Sequence, residues 1–226
     1  VTGAGRGFCA GADIGAGAGA FDSKAEGSVA FQDAGSSGRR GGGAGFVGAM
    51  FNCRKPIIAA INGAAVGVGV TLTLPMDIRI CADGVKFGFV FARRGLVPEA
   101  GSAWFLPKLV GLPQALRWCL SGRLIQADEA LAGGLVSEVV APDALLVRAR
   151  EIADEIAENT APVSIALTRQ MLWRFAGAPD PFELLKVDGA YAFELGGGPD
   201  VREGVAAFLE KRAPDFPGKV STDMPS

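Results

Sequence analysis

Between Lys55 and Asp77 the chain passes through residues 56–76 without a single charged side chain, and any fold it adopts must hide that stretch. Its 21 residues are long enough to cross a bilayer. The stretch contains Asn62, Thr71, Thr73, three glycines and two prolines, so it is not predominantly aliphatic. A buried strand turning into a buried helix accounts for it better than a membrane span. The short apolar run 56–62 ends in Asn62-Gly63 and reads as a strand and a turn, with a small, apolar, buried helix over 63–74.

The rest of the chain fits around that core. Fifteen of the 33 glycines fall in the first fifty residues, which predicts a long loop over 15–48 with a short helix near Val29–Phe31. Strands are expected at 78–82 and 86–88, with Asp77 and Asp83 as turn residues. From Pro98 the pattern becomes helical, with helices at 100–110 and 113–120 separated by Gly111. A short helix at 127–131 ends on Gly133-Gly134, and a strand follows at 135–140. Leu145, Ala149, Ile152, Ala153 and Ile156 share one face of a helix within 143–159. Asp200, with Glu203 three residues later, can cap a final helix whose apolar stripe is Val201, Val205, Phe208 and Leu209. The tail after Pro214 reads as loop.

Composition removes whole classes of chemistry. The 226 residues include no histidine, which excludes Ser-His-Asp and Cys-His nucleophile pairs, an imidazole base and the usual His-containing zinc sites. Proton transfer is left to carboxylates, lysine, cysteine or the single Tyr191. A net charge of -2 offers no electrostatic footprint for nucleic acid or anionic lipid. Cys9, Cys53, Cys81 and Cys119 form no CxxC pair and read as reduced, buried residues of a cytoplasmic protein. No secretory signal is visible, and the start on Val1, inside an apparent strand, leads us to expect that something upstream is missing.

Three segments carry candidate chemistry. Gly3-Ala-Gly5-Arg-Gly7 does not complete a dinucleotide fingerprint, because Phe8 takes the last glycine position. Gly5, Gly7 and Ala10 fit only the looser form, with no clear helix behind them, so a glycine-rich turn is the better reading. Phe8-Cys9-Ala10-Gly11-Ala12-Asp13 and Gly63-Ala-Ala-Val-Gly67-Val-Gly69 both lay backbone amides open, and such amides can hold an oxyanion. Close helix–sheet packing wants the same small residues, and composition alone favours it. Between Pro56 and Leu106 the only acids are Asp77, Asp83 and Glu99. Glu99 is either the dipole-matching acid of a first helical turn or a lone base in an apolar neighbourhood.

Together these segments resemble the enoyl-CoA hydratase/isomerase (crotonase) family. The resemblance covers 8–13, the run from Lys55 to Gly69, Asp77-Ile-Arg-Ile-Cys-Ala82, Phe87-Gly88, Gly134-Leu135-Val136, Glu203-Gly204 and Phe208-Leu-Glu-Lys-Arg212. It implies an α/β fold, the crotonase-like spiral of ββα units, with the core in 1–141 lacking the family's first strands. A C-terminal helical trimerisation region in 142–226 would give a homotrimer or a dimer of trimers. The implied substrate is an acyl-CoA thioester of fatty acid metabolism, with coenzyme A as part of the substrate, no separate cofactor, no metal, and no nucleic-acid or membrane partner.

The resemblance assigns the oxyanion hole to the N–H groups of Ala12 and Val68. Family hydratases hold water between two glutamates, but Thr71 and Phe91 occupy those positions here. Glu99 falls where the family's isomerases keep a single acidic base, which implies transfer of a 3-enoyl double bond to the 2 position through an enolate. Ala10, Gly11, Asp13, Ile14, Ala64, Val66, Thr71, Phe91, Leu96 and Trp104 would line the substrate, with Asp13 ordering its loop. Lys211 and Arg212 would meet the CoA phosphates or simply complement a helix end. The alternatives are a hydratase using Glu99 with a differently held water, and a non-catalytic acyl-CoA-binding relative.

Overall fold

The computed structural model describes residues 1–15, 17, 20, 21 and 45–225. The helix expected near Val29–Phe31 lies outside them. Two compact units emerge: residues 1–51 with 57–146, and residues 52–56 with 147–226.

The first unit begins with α1 (Gly45–Phe51), which takes over the end of the stretch expected to be loop. Then follow β1 (Ile58–Ile61), β2 (Ala65–Val66), the single helical turn α2 (Val68–Thr71), β3 (Ile78–Ala82) and β4 (Lys86–Gly88). After a 3-10 turn at Val90–Arg94 come α3 (Ser102–Val110), α4 (Leu112–Ser121), β5 (Leu124–Gln126), α5 (Ala127–Ala132) and β6 (Glu138–Val140). Two three-stranded sheets result. In one, β3 lies between β1 and β6, all parallel; in the other, β4 pairs parallel with β2 and antiparallel with β5.

The uncharged stretch is therefore not one strand and one helix. Gly67 has φ 58, outside right-handed helix space, so 63–67 is a turn and a short strand, and helix begins only at Val68. Beyond Thr71 it continues as hydrogen-bonded turns, Thr73 to Val70, Leu74 to Thr71 and Met76 to Thr73. The buried guanidinium of Arg79 holds those turns. It donates to the carbonyls of Met76 at 2.5 Å, Thr73 at 3.3 Å and Leu135 at 2.9 Å. Burial lowers its pKa to about 10, with nearby Asp77 pulling the other way, so it stays charged at neutral pH.

The core of this unit is aliphatic and aromatic: Ala59, Ala60 and Ile61 from β1, Ile80 and Cys81 from β3, Phe87, Phe89, and Trp118 stacked on Phe89. Of the four free cysteines only Cys81 is buried; the expectation that all would be fails because Cys9 and Cys53 lie in connecting segments and Cys119 on a partly exposed face of α4. The strand expected at 135–140 is shorter. The amides of Leu135 and Val136 are drawn back to Ala130 at the end of α5, leaving Glu138–Val140 to pair with β3.

The second unit holds α6 (Leu145–Asn159, its first two residues counted with the first unit), α7 (Pro162–Phe175), α8 (Phe182–Gly196) and α9 (Pro199–Glu210). Arg169 and Gln170 of α7 both donate to the Cys53 carbonyl, at 2.5 and 2.9 Å, tying 52–56 to this helix. The expected cap on the last helix does not form. Gly198 is the N-cap and Pro199 opens the helix, while Asp200 accepts from the Gly218 amide at 2.8 Å. Glu203 accepts from the Asp215 amide and from Arg212, so both acids secure the tail instead. No residue of α8 is buried, and Phe193 and Phe208 are 90% and 82% exposed. No described helix is long and apolar enough to cross a membrane.

Candidate active site

The first nine residues are laid against the start of the uncharged stretch. The Val1 carbonyl accepts from Ala60, and its amine donates to Ile58, so the chain begins alongside β1. The Asn62 carboxamide then organises the glycine-rich turn. Its oxygen accepts from Gly3 at 2.9 Å, and its nitrogen donates to the carbonyls of Gly5 at 2.9 Å and Gly7 at 3.2 Å. Gly3–Gly7 is thus a turn, as expected, and the residues directly after it, 8–14, are not helical.

Cys9 next forms a parallel bridge to Ala65, donating to the Ala64 carbonyl and accepting from Val66, each at 3.0 Å. That bridge drives two backbones together. A Cβ on Gly69 would lie 1.9 Å from the Cys9 carbonyl oxygen, one on Gly11 2.9 Å from the Val66 oxygen, and one on Gly67 3.8 Å from the Cα of Gly11. At Gly69 and Gly11 only glycine permits this approach. Ala12 and Val68 each stand one residue beyond a member of the Gly11–Gly67 contact. Among the described residues, neither amide donates a hydrogen bond. Two unspent N–H groups on adjacent loops are what an oxyanion requires. Asp13 accepts from the Gly15 amide at 2.8 Å, ordering the same loop as expected, while Ala10 and Ile14 are exposed.

Glu99 arrives from the other side. It does not sit in a first helical turn: Ala100 and Gly101 have φ 55 and 69, left-handed values that postpone the helix to Ser102. The dipole account of this acid therefore falls. A left-handed alanine is strained, and the loop is clamped in place by Ser102, whose amide and hydroxyl donate to the Glu99 carbonyl at 3.0 and 2.6 Å. The half-buried side chain reaches α2, where the fully buried Thr71 hydroxyl donates to its Oε1 at 2.5 Å.

Val68 and Thr71 are the two ends of one helical turn, three residues and about 4.5 Å of rise apart. One end carries a free amide and the other touches a carboxylate. Phe91 is buried in the 3-10 turn, and its carbonyl accepts from Leu96, three residues before Glu99. Trp104 packs edge-on against Phe51 and Phe105, with the Lys108 ammonium 4.1 Å above its ring. Arg212 is engaged by Glu203 and Glu210, and Lys211 adopts the left-handed cap of α9. Among the described residues no group of three or more His, Cys, Asp or Glu side chains converges as a metal-binding set.

Two contributors escaped the sequence reading. Ser102 was legible as a hydroxyl three residues after Glu99, a spacing at which serine bonds back to the main chain. The Thr71–Glu99 contact spans 28 residues and carries no local signal.

The family model for enoyl-CoA hydratase/isomerase matches residues 1–219. The chain belongs to that family. Enoyl-CoA hydratase ACTT3 of Alternaria alternata is 42% identical over 216 residues, covering 95% of this chain and 69% of the relative. The 1,2-epoxyphenylacetyl-CoA isomerase of Escherichia coli (strain K12) is 36% identical over 220 residues, 97% of this chain and 80% of the relative. Among solved structures, a probable enoyl-CoA hydratase/isomerase from Mycobacterium abscessus superposes with a TM-score of 0.78 at 33% identity, covering 96% of this chain and 78% of that one. The spiral α/β architecture of this family member is thus the crotonase fold, with a helical C-terminal region. The family name joins two chemistries, and its relatives carry both names.

Proposed function

We propose that this family member is an acyl-CoA enzyme that moves the double bond of a 3-enoyl-CoA to the 2 position. The observation that carries the reading is a single carboxylate, Glu99, held beside Thr71; Thr71 and Phe91 stand where the family resemblance would put the hydratase glutamate pair.

The thioester oxygen would accept from the amides of Ala12 and Val68. As Glu99 takes a proton from C2, the electron pair of that C–H bond enters the conjugated dienolate, whose charge rests on the oxygen between the two donors. Glu99 then returns the proton to C4, and the enolate collapses to the 2-enoyl ester. The proton leaves C2 and arrives at C4, so neither water nor an outside acid is consumed. The buried, apolar Phe91, which offers no group to hold a water, supports a path in which none is added. The exposed apolar side chains of α8 and α9 support the self-assembly that the family resemblance implies.

A second reading, hydration of a 2-enoyl-CoA by Glu99 with a bound water, is favoured by the name of the 42%-identical relative. Purified protein offered both esters separates the two. Isomerisation of the 3-enoyl ester, lost in Glu99→Gln, is the expected result. Ready hydration of the 2-enoyl ester with the 3-enoyl isomer left untouched would overturn it.

A further inference from the structure

Thr71 is wholly buried, so its hydroxyl has no access to bulk water and must find its partners within the protein. It has two acceptors within reach, Glu99 Oε1 at 2.5 Å and the Val68 carbonyl at 3.4 Å, and only one proton to give. The shorter contact is to the carboxylate. From these facts we infer that Thr71 is a positioning residue for Glu99. Its donated hydrogen bond commits Oε1 and leaves Oε2 as the oxygen that carries the proton between C2 and C4.

This rests on Glu99 being the proton carrier proposed above, and it adds what the carboxylate alone lacks. A glutamate side chain turns about three bonds, and freezing it in one geometry otherwise costs conformational entropy at each turnover. Here the backbone end is fixed by Ser102 and the left-handed Ala100, and the carboxylate end by Thr71. Thr71 is also one helical turn from Val68, so the same four residues register the proton carrier against the oxyanion donor.

The test uses Thr71→Val, which keeps the shape and removes the donor, with Thr71→Ser as its conservative partner. Two reactions are followed: isomerisation of 3-hexenoyl-CoA, and deuterium entry at C2 of hexanoyl-CoA in D2O. The second reports proton abstraction whether or not a double bond moves. In T71V we expect kcat and the exchange rate to fall roughly 10- to 100-fold, with KM changed less than about twofold. T71S should restore most of the loss, and in an E99Q background T71V should cost nothing further.

A T71V enzyme with wild-type kcat would overturn the proposal. So would a loss confined to KM, a T71S variant as impaired as T71V, or additive losses in T71V/E99Q. Absence of C2 exchange in the wild-type protein would overturn it together with the role of Glu99. If the wild type exchanges C2 protons in a Glu99-dependent way yet does not isomerise, the proposed reaction fails, and the positioning role is decided by the exchange rates. If T71V does not fold, T71S against wild type and their coupling to E99Q decide instead.

Discussion

The two halves of the candidate site are built from different materials. The half proposed to hold the oxyanion, around Ala12 and Val68, is main chain throughout: it offers amides, and its precision comes from glycines whose missing Cβ atoms let two backbones meet. The proton half, around Glu99, is side chain, and its precision comes from a strained loop, a serine clamp and a threonine hydroxyl. The first half has no room for an added atom at Gly69 or Gly11, whereas the second tolerates atoms but no loss of a functional group. Substitution should therefore damage folding in one half and turnover in the other.

The sharpest test of that division is Glu99→Gln. It preserves volume and should lower kcat by about 100- to 10,000-fold while leaving acyl-CoA binding and the melting temperature near wild type. Steady-state kinetics beside thermal melts would show it, and a large fall in melting temperature would break the comparison. Next in size is Gly69→Ala. Its Cβ would meet the Cys9 carbonyl oxygen at 1.9 Å, so the loops must part, at a cost of about 3 kcal/mol or more in urea unfolding. Gly67→Ala meets nothing closer than 3.8 Å and should cost only the strain of holding a side chain at φ 58, ψ -126, about 1–2 kcal/mol. Equal losses at the two glycines would show that conformation, not contact, governs the junction.

Cys81 reports on β3, part of the framework beneath both halves. Burial, helped by the charge of Asp83, pushes its thiol from 9.0 up to about 12. Between those values the folded chain holds a proton that the unfolded chain has released, so stability falls as pH rises through the window. The slope from this group is at most about 1.4 kcal/mol per pH unit, and Cys81→Ala should flatten it in alkaline denaturation curves. The smallest effect is expected from Ala100→Gly. Relief of the left-handed strain, offset by a freer unfolded chain, should raise stability by about 0.5 kcal/mol. The same change loosens the loop that carries Glu99, so kcat should drop slightly as stability rises.

The same division governs what could be read in the residues. The glycines at 11, 67 and 69 marked a close approach, although composition alone could not separate packing from anion binding. The amides left without partners favour the second use. Glu99 stood out as the lone acid of its region, yet its setting did not. Nothing about Ala100 announces a left-handed backbone, and a helix expected from 100 starts at Ser102 for that reason. Thr71 was visible as a replaced glutamate but not as a donor, because its acceptor lies 28 residues away. In the second unit, α8 had no boundaries to read: it buries no residue, so no apolar stripe distinguishes an inner face. The expected cap on α9 failed because Asp200 and Glu203 found the tail, a competitor no local pattern reveals.

The unspent amides of Ala12 and Val68 also bear on how such a scaffold can diversify. Replacing either side chain leaves the N–H where it was, so point mutation cannot readily erase the end that, in the proposed reaction, would receive the thioester oxygen. Positions 71, 91 and 99 have no such protection, since each contributes only through its side chain. A lineage built this way can exchange its proton-handling tools one codon at a time while inheriting its electrophile socket whole.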